Sequence, residues 1–246
     1  MDDQKRIYQQ QAEDYHRLVS YEDHQGNLLP AIHRIRPLDG LNVIELGAGT
    51  GRLTRLLRPH VRSIQAFDLS PHMLEKAASV LKKDDVSLPG KPSLEMDKAR
   101  MQNWGLAAAD NRRLPVKDGW ADLAISGWSL CYLVAWGDAN WQPQVVQALS
   151  EMRRVLHTDG VMVILETLGT GYEAPNPPGH LVDYYAFLEK AGFQSTWMRT
   201  DYRFPSLAEG KRLTSFFFGE ELAKRVVEER GNLPECTGVW WRGCDQ

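Results

Sequence analysis

Three glycines at positions 47, 49 and 51, set between a short apolar run and a stretch with leucines at helical spacing, restrict this 246-residue chain more than any other feature. Leu41-Asn42-Val43-Ile44-Glu45-Leu46 reads as a buried strand, and Leu53, Leu56 and Leu57 follow at helical spacing up to Pro59. Glycines at such a junction let the backbone turn tightly and let a ligand approach without a Cβ in the way. In open α/β sheets, crevices at strand ends of this kind are where ligands bind. The spacing excludes two familiar sites. A dinucleotide fingerprint, G-x-G-x-x-G, wants its third glycine where Arg52 stands, and the strand-end carboxylate Glu45 is a poor companion for a pyrophosphate. A P-loop needs Gly-Lys-Ser/Thr, which is absent here. A cationic or zwitterionic ligand suits Glu45 better.

Two further carboxylates extend the pattern. Asp68 ends a second strand, Ser63 to Asp68, 23 residues after Glu45, where an acid can accept hydrogen bonds from both hydroxyls of a ribose. Asp110 ends a third strand at Leu106 to Ala109 and can accept from an exocyclic amine such as that of adenine. Met73, one turn into the helix opened by Ser70-Pro71, can pack on a purine face. Each feature alone is commonplace; in order, each at a strand end, they point to a nucleoside-type cofactor.

The remaining pattern supplies a frame for these ends. Residues 4–36 read as helical with a break at Gly26-Asn27, and Pro37 closes them. Helices are expected over 71–81, 143–156 and 181–191, with a helical stretch over 206–230. Strands are expected at Leu123 to Ser126, Val161 to Glu166, 193–200 and 237–242. Residues 82–102, with Pro89-Gly90 and Pro92, read as an excursion with a short helix near 94–102. Strands alternating with helices predict a doubly wound, mostly parallel sheet. A single domain over 1–246 is the simplest partition: a helical cap over 1–37, a ligand-binding core over 40–167, and the remainder over 168–246.

Composition narrows the function classes. Lys and Arg number 29 against 32 Asp and Glu, a net charge of −3, which disfavours nucleic acid as a partner. No apolar run approaches the ~20 residues of a membrane span, and no secretory pattern opens the chain, so a cytoplasmic protein is expected. Cys131, Cys236 and Cys244 lack metal or redox spacing, and no metal site is expected.

The motifs together resemble those of the class I S-adenosylmethionine-dependent methyltransferases. Val43 to Leu53 is similar to that family's first motif, Phe67-Asp68-Leu69-Ser70-Pro71-His72-Met73-Leu74 to its second, and Ala109 to Pro115 with Ala121 to Ser126 to the stretch around its third and fourth strands. The small-molecule group related to quinone-biosynthesis enzymes is the most similar, through Arg153 to Gly160 as well. The resemblance covers about 40–167 and implies a Rossmann-like sheet of seven strands, the last antiparallel. It implies that Gly47, Ala48, Gly49 and Gly51 lie against the methionine part of S-adenosyl-L-methionine, with S-adenosyl-L-homocysteine the product. Glu45 would lie near the ammonium, Asp68 at the ribose, Leu69 and Met73 beside adenine, Asp110 and Asn111 at the adenine amine, and Ser126 towards the sulfonium. Tyr8 and Tyr15 resemble a lid pattern, with His16 where Asp is common.

The implied reaction is methyl transfer by in-line displacement to an O, N, S or C atom of a small molecule. Alternatives are a nucleic-acid or protein methyltransferase on the same fold, or a protein that binds the cofactor without transferring methyl. Ser126-Gly127-Trp128-Ser129 stands where nucleic-acid enzymes carry Asn/Asp-Pro-Pro-Tyr/Phe. Trp128, Cys131, Tyr132, Trp136 and Trp141 cluster after the fourth strand, and Trp128 and Tyr132 are candidates for the acceptor pocket. His180, after a Gly/Pro-rich loop, is a third candidate, although none of the seven histidines stands out as a general base. Phe216 to Phe218 and Trp240-Trp241 read as core, and Arg52 and Arg55 as a solvated helix face. Residues 202–234 are expected as an inserted lid, and sequence leaves the oligomeric state open.

Overall fold

Val43, Ile44 and Leu46 of strand β1 (Asn42–Leu46) are all fully buried, because β1 is covered on both faces. A continuous apolar run of this kind belongs in the middle of a parallel sheet. The computed structural model describes residues 6–8, 10–86, 103–136, 140–226 and 231–244. In it β1 pairs in parallel with β2 (Ser63–Asp68) on one side and β4 (Ala121–Gly127) on the other, so that Leu46 faces both Phe67 and Ser126. With β3 (Trp104–Ala108), β5 (Leu156–Thr170), β6 (Gln194–Arg199) and the last strand, β9 (Glu235–Gly243), the sheet order is β3-β2-β1-β4-β5-β9-β6. β9 runs antiparallel to both of its neighbours. The expected seven-stranded, mostly parallel, Rossmann-like sheet with an antiparallel last strand is what forms. Strand order reverses between β1 and β4, which opens a crevice at their carboxyl ends.

Helices α1 (Ala12–Val19), α2 (Leu28–Ile35), α3 (Arg52–Leu57), α4 (Pro71–Val86), α5 (Cys131–Ala135), α6 (Gln142–Val155) and α7 (Val182–Lys190) flank the sheet. One face buries Leu28, Ile32, Val43, Leu53 and Ile125; the other buries Ile44, Leu46, Met152, Ile164 and Tyr184. The break at Gly26-Asn27 falls between α1 and α2, as expected. The short helix expected near 94–102 lies outside the described residues. Residues 157–160 are absorbed into β5: Ala121 pairs with Leu156 but Leu123 with Val161, so the intervening residues bulge out of register.

The helical stretch expected over 206–230 forms α8 (Leu207–Phe218) and α9 (Glu220–Ala223). Ser206 caps α8 by accepting the Glu209 N–H at 3.2 Å, the first half of a Ser-x-x-Glu capping box. A pairing not foreseen joins β7 (Tyr202–Arg203) to β8 (Asn232–Leu233) at the base of this insert. Leu18 of α1 packs with Tyr202, Phe204, Leu213, Val226 and Leu233, so the amino-terminal cap rests on the insert. Among the described residues no helix is long and apolar enough to cross a membrane.

Gly51 closes the loop between β1 and α3 at φ +83°, and a Cβ there would lie 3.2 Å from Ala77 Cβ of α4. Both the backbone conformation and the helix contact therefore require glycine. Gly51→Ala is expected to lower stability by about 1–3 kcal/mol, read as a lower midpoint in equilibrium urea unfolding; an unchanged midpoint contradicts this packing role.

Candidate functional site

The glycine loop is fastened to the end of the neighbouring strand. Gly47 and Ala48 both donate their N–H groups to the Phe67 carbonyl at 2.8 Å. Gly49 donates to Asp68 Oδ2, and Ser70 to Asp68 Oδ1, each at 2.8 Å. Each Asp68 oxygen thus accepts one backbone bond and keeps further acceptor capacity. From the other side the turn after β4 closes on the loop: a Cβ on Gly47 would lie 2.3 Å from Ser129 Cβ, so only glycine admits this approach. Asn111 donates its side-chain N–H to Ser129 Oγ at 2.9 Å and ties in the turn after β3.

These turns enclose a cavity of about 620 Å³. Of the residues singled out in the sequence, Tyr15, Glu45, Gly47, Ala48, Gly49 and Asp68 line it. Leu69, Asp110, Asn111, Trp128 and Tyr132 line it too. Leu69 is 67% exposed, an apolar side chain at the rim. Four expected residues are elsewhere. Gly51 faces α4, as above. Met73 is completely buried beneath the start of α4. Ser126 is also buried and does not line the cavity, whereas the next residue of the strand, Gly127, does. His180 sits exposed on a 3-10 turn, Gly179–Leu181, and does not line the cavity, since the loop after β5 runs outside it.

Burial shapes the charges. Glu45, 1% exposed, accepts from Thr54 Oγ1 at 2.5 Å. Burial, with the nearby Asp68 charge, pushes its pKa up to about 8. Burial also raises Asp68, against its two backbone donors. Asp110 shifts down, chiefly because Arg112 grips its carboxylate from Nε at 2.9 and 3.1 Å, with the Arg112 backbone N–H adding a bond at 2.8 Å. Both Asp110 oxygens are therefore already engaged, in competition with any adenine amine.

Arg52 also departs from expectation. Arg55 faces outward and pairs with Asp84 at 2.6 Å, as a solvated side chain does. Arg52 turns inward to line the cavity, pairs with the buried Glu22, and lays its guanidinium 3.7 Å over the Trp128 ring. Trp128 holds φ +49°, a conformation that is uncommon for a non-glycine residue and that clusters at functional sites.

Aromatic side chains make the far wall. The Tyr8 and Tyr132 hydroxyls meet at 2.6 Å, Tyr132 stacks on Trp136 at 4.2 Å, and Tyr8 lies 5.0 Å from Tyr15. Burial raises the pKa of all three tyrosines, so they remain neutral hydroxyls. Phe217, expected in the core of the carboxyl-terminal sheet and its covering helix, lies on α8, packs against the cluster of Leu18, Tyr202 and Leu213, and reaches Tyr15 at 5.4 Å. Trp141 packs away from the site, against Tyr184 and Phe187. The amino-terminal segment is held over the cavity by Ser70 Oγ donating to the Tyr8 carbonyl at 2.8 Å and by Ala12 N–H donating to His72 Nε2 at 3.3 Å. His16, in the position where the lid pattern commonly has Asp, contacts Thr50 Oγ1 at 3.1 Å.

Residues 44–164 match the family model described as a methyltransferase domain. Over these residues, just under half of the chain, it is similar to the class I methyltransferases. It is 28% identical over 168 residues to a demethylmenaquinone methyltransferase of Staphylococcus aureus (strain MRSA252), a match covering 66% of this chain and 59% of that relative. The chain therefore spans about three-fifths of the relative's length. Its fold is similar to that of an S-adenosylmethionine-dependent methyltransferase from Aquifex aeolicus, with a TM-score of 0.52 at 14% identity over 89% of this chain and 93% of the other. The YcgJ protein of Bacillus subtilis gives 0.54 at 12% identity over 89% and 98%. At such identities the structural likeness is one of fold.

The Glu45 shift has a direct consequence. Its folded pKa of about 8 lies above the ordinary 4.5, so its contribution to stability is complete below about pH 4.5 and is lost as pH rises through about 8. Glu45→Gln, which cannot ionise, is expected to gain stability relative to the wild type across that window and to run parallel to it above. Urea unfolding of both proteins at about pH 5 and about pH 9 checks this; a difference independent of pH contradicts it.

Proposed function

We propose that the chain transfers a methyl group from S-adenosyl-L-methionine to a nucleophilic atom of a small planar molecule. One observation carries the reading: a single cavity joins the Asp68-anchored glycine loop to the aromatic wall of Tyr8, Tyr132 and Trp136. The cavity's volume is in the range of small-molecule and cofactor sites. The donor set fits a sulfonium nucleoside. Asp68 retains acceptor capacity for ribose hydroxyls, Leu69 offers an apolar flank at the rim, and the buried Glu45 suits an ammonium. When bound, the cofactor supplies an electrophilic methyl on a positively charged sulfur.

The chain's own part is to position and to exclude water. Asp68 holds the nucleoside end and the Gly47–Gly49 loop lies against the methionine part, while Asn111, through Ser129, fixes the turn beside the loop. Tyr15 lines the cavity from the cap, and Phe217 of the insert packs against it at 5.4 Å. The Tyr8 and Tyr132 hydroxyls, kept neutral by burial, bond to each other, so one of the pair is left to donate to an acceptor and neither takes its proton. The acceptor best suited to this wall is an aromatic compound that ionises by itself or presents a neutral lone pair. An enclosed aromatic pocket favours a small molecule over a nucleic acid or a protein side chain.

Calorimetry is expected to show micromolar binding of S-adenosylmethionine or S-adenosylhomocysteine, weakened about tenfold to a hundredfold by Asp68→Ala; no heat from folded wild-type protein overturns the cofactor assignment. A methyl-transfer screen across phenols, thiols, amines and carboxylic acids tests the acceptor. With an aromatic acceptor, Tyr132→Phe is expected to lower kcat/KM about tenfold with unchanged cofactor affinity, and unchanged turnover removes the hydroxyl from the acceptor site.

A further inference from the structure

The aromatic wall is carried by a very short helix. Tyr132 lies in α5 (Cys131–Ala135), and Trp136 is the C-cap, donating its backbone N–H to the Tyr132 carbonyl at 2.9 Å. With their rings stacked as well, the two residues are placed as one piece. Five residues are too few for a helix to persist by itself, and the N-cap residue, Leu130, makes no side-chain capping bond. The first turn is held instead from β5. Cys131 donates its N–H to Glu166 Oε1 at 2.9 Å, and the Tyr184 hydroxyl of α7 donates to the same oxygen at 3.4 Å.

Glu166 is completely buried and does not line the cavity. Its second oxygen, Oε2, has no hydrogen-bond partner among the described residues. The titratable groups that face it are the Cys131 thiol and Tyr132 hydroxyl of α5 and the Tyr184 and Tyr185 hydroxyls of α7. On β9 it stands opposite Gly238. No cation is among these groups. Burial therefore pushes its pKa up to about 7, against the bonds from Cys131 and Tyr184. Ionising it in place leaves an uncompensated charge in the core, and letting water reach it means shifting α5, which its oxygen holds. The neutral carboxyl thus supports the position of the wall in full below the ordinary 4.5, and that support is lost as pH rises through about 7.

The geometry points to Glu166 as a positioning residue for the methyl acceptor: by holding the first turn of α5 it sets where the Tyr132 and Trp136 rings stand, touching neither acceptor nor cofactor. This rests on the acceptor reading given above. β4 and β1 separate β5 from β2, which ends in Asp68, so nucleoside binding does not depend on Glu166.

Trp136 reports on the wall directly. Its fluorescence is isolated from that of the other tryptophans by subtracting the signal of the same protein carrying Trp136→Phe, and its quenching by acrylamide is read from about pH 5.5 to about pH 8.5. With Glu166 present, quenching is expected to rise about twofold as pH passes through about 7. Glu166→Gln, which keeps an acceptor for Cys131 but cannot ionise, is expected to hold the low-pH value throughout, although Glu45 still titrates. Glu166→Leu, which offers no acceptor, is expected to be strongly quenched at every pH. It is also expected to raise the KM of the aromatic acceptor that the methyl-transfer screen identifies about tenfold, with a smaller change in kcat. If it does not fold, the pH comparison with Glu166→Gln decides. S-Adenosylhomocysteine affinity by calorimetry is expected to change less than about twofold in every variant. Quenching that ignores pH in the presence of Glu166 overturns the proposal, as does an equal pH response in Glu166→Gln. A loss of S-adenosylhomocysteine affinity that matches the change in quenching assigns Glu166 a scaffold role and overturns it too. Wild-type protein that binds no S-adenosylhomocysteine overturns the cofactor reading, while the quenching still shows whether Glu166 holds the wall.

Discussion

Three consecutive backbone N–H groups of the glycine loop are spent on the end of β2, two on the Phe67 carbonyl and one on the Asp68 carboxylate. The rest of the site depends on this attachment. A loop leaving a central parallel strand has no partner of its own, and buried unpaired amides are costly. Turning them onto the next strand satisfies them and forces the glycine conformations at the same time. It also orients Asp68, whose two oxygens are each pinned by one backbone donor. The ligand-facing acid and the ligand-facing loop are therefore one unit, set by the parallel register of β1 against β2.

Around that unit the chain closes in layers drawn from distant parts of the sequence. The turn after β4 presses Ser129 against Gly47 and presents Trp128 to Arg52. The amino-terminal segment is hung from Ser70 and His72, at the start of the helix that Asp68 introduces. The insert between β6 and β9 then braces the cap through Phe217 and through Arg212, which pairs with Asp14 at 3.1 Å. Carboxylates and rings both line the cavity, a composition suited to a charged nucleoside meeting an apolar partner.

Much of the sheet was legible because buried parallel strands write themselves as apolar runs and because glycines and carboxylates mark where those runs end. Asp68, Asp110 and Asn111 fall on the cavity for that reason. What sequence could not supply were relations across distance. Arg52 and Arg55 share a helix side by periodicity, yet one is drawn inward by Glu22, thirty residues earlier on a segment whose path no local pattern states. Gly51 and Met73 belong to motif stretches, but they serve helix packing, and motif membership does not separate a residue that touches a ligand from one that supports its neighbour. Ser126 is buried while its neighbour Gly127 reaches the cavity, a difference the motif does not express. His180 rested on loop position alone, and the loop passes outside. The Arg112 grip on Asp110, two residues apart, was open to sequence reasoning as a local ion pair.

The most direct test of this account is a crystal structure of the protein with S-adenosylhomocysteine. The ribose is expected on Asp68, adenine beside Leu69, and the thioether sulfur between the glycine loop and the Tyr8–Tyr132–Trp136 wall. A ligand bound outside this cavity, or lying with its sulfur turned away from the aromatic wall, would contradict it.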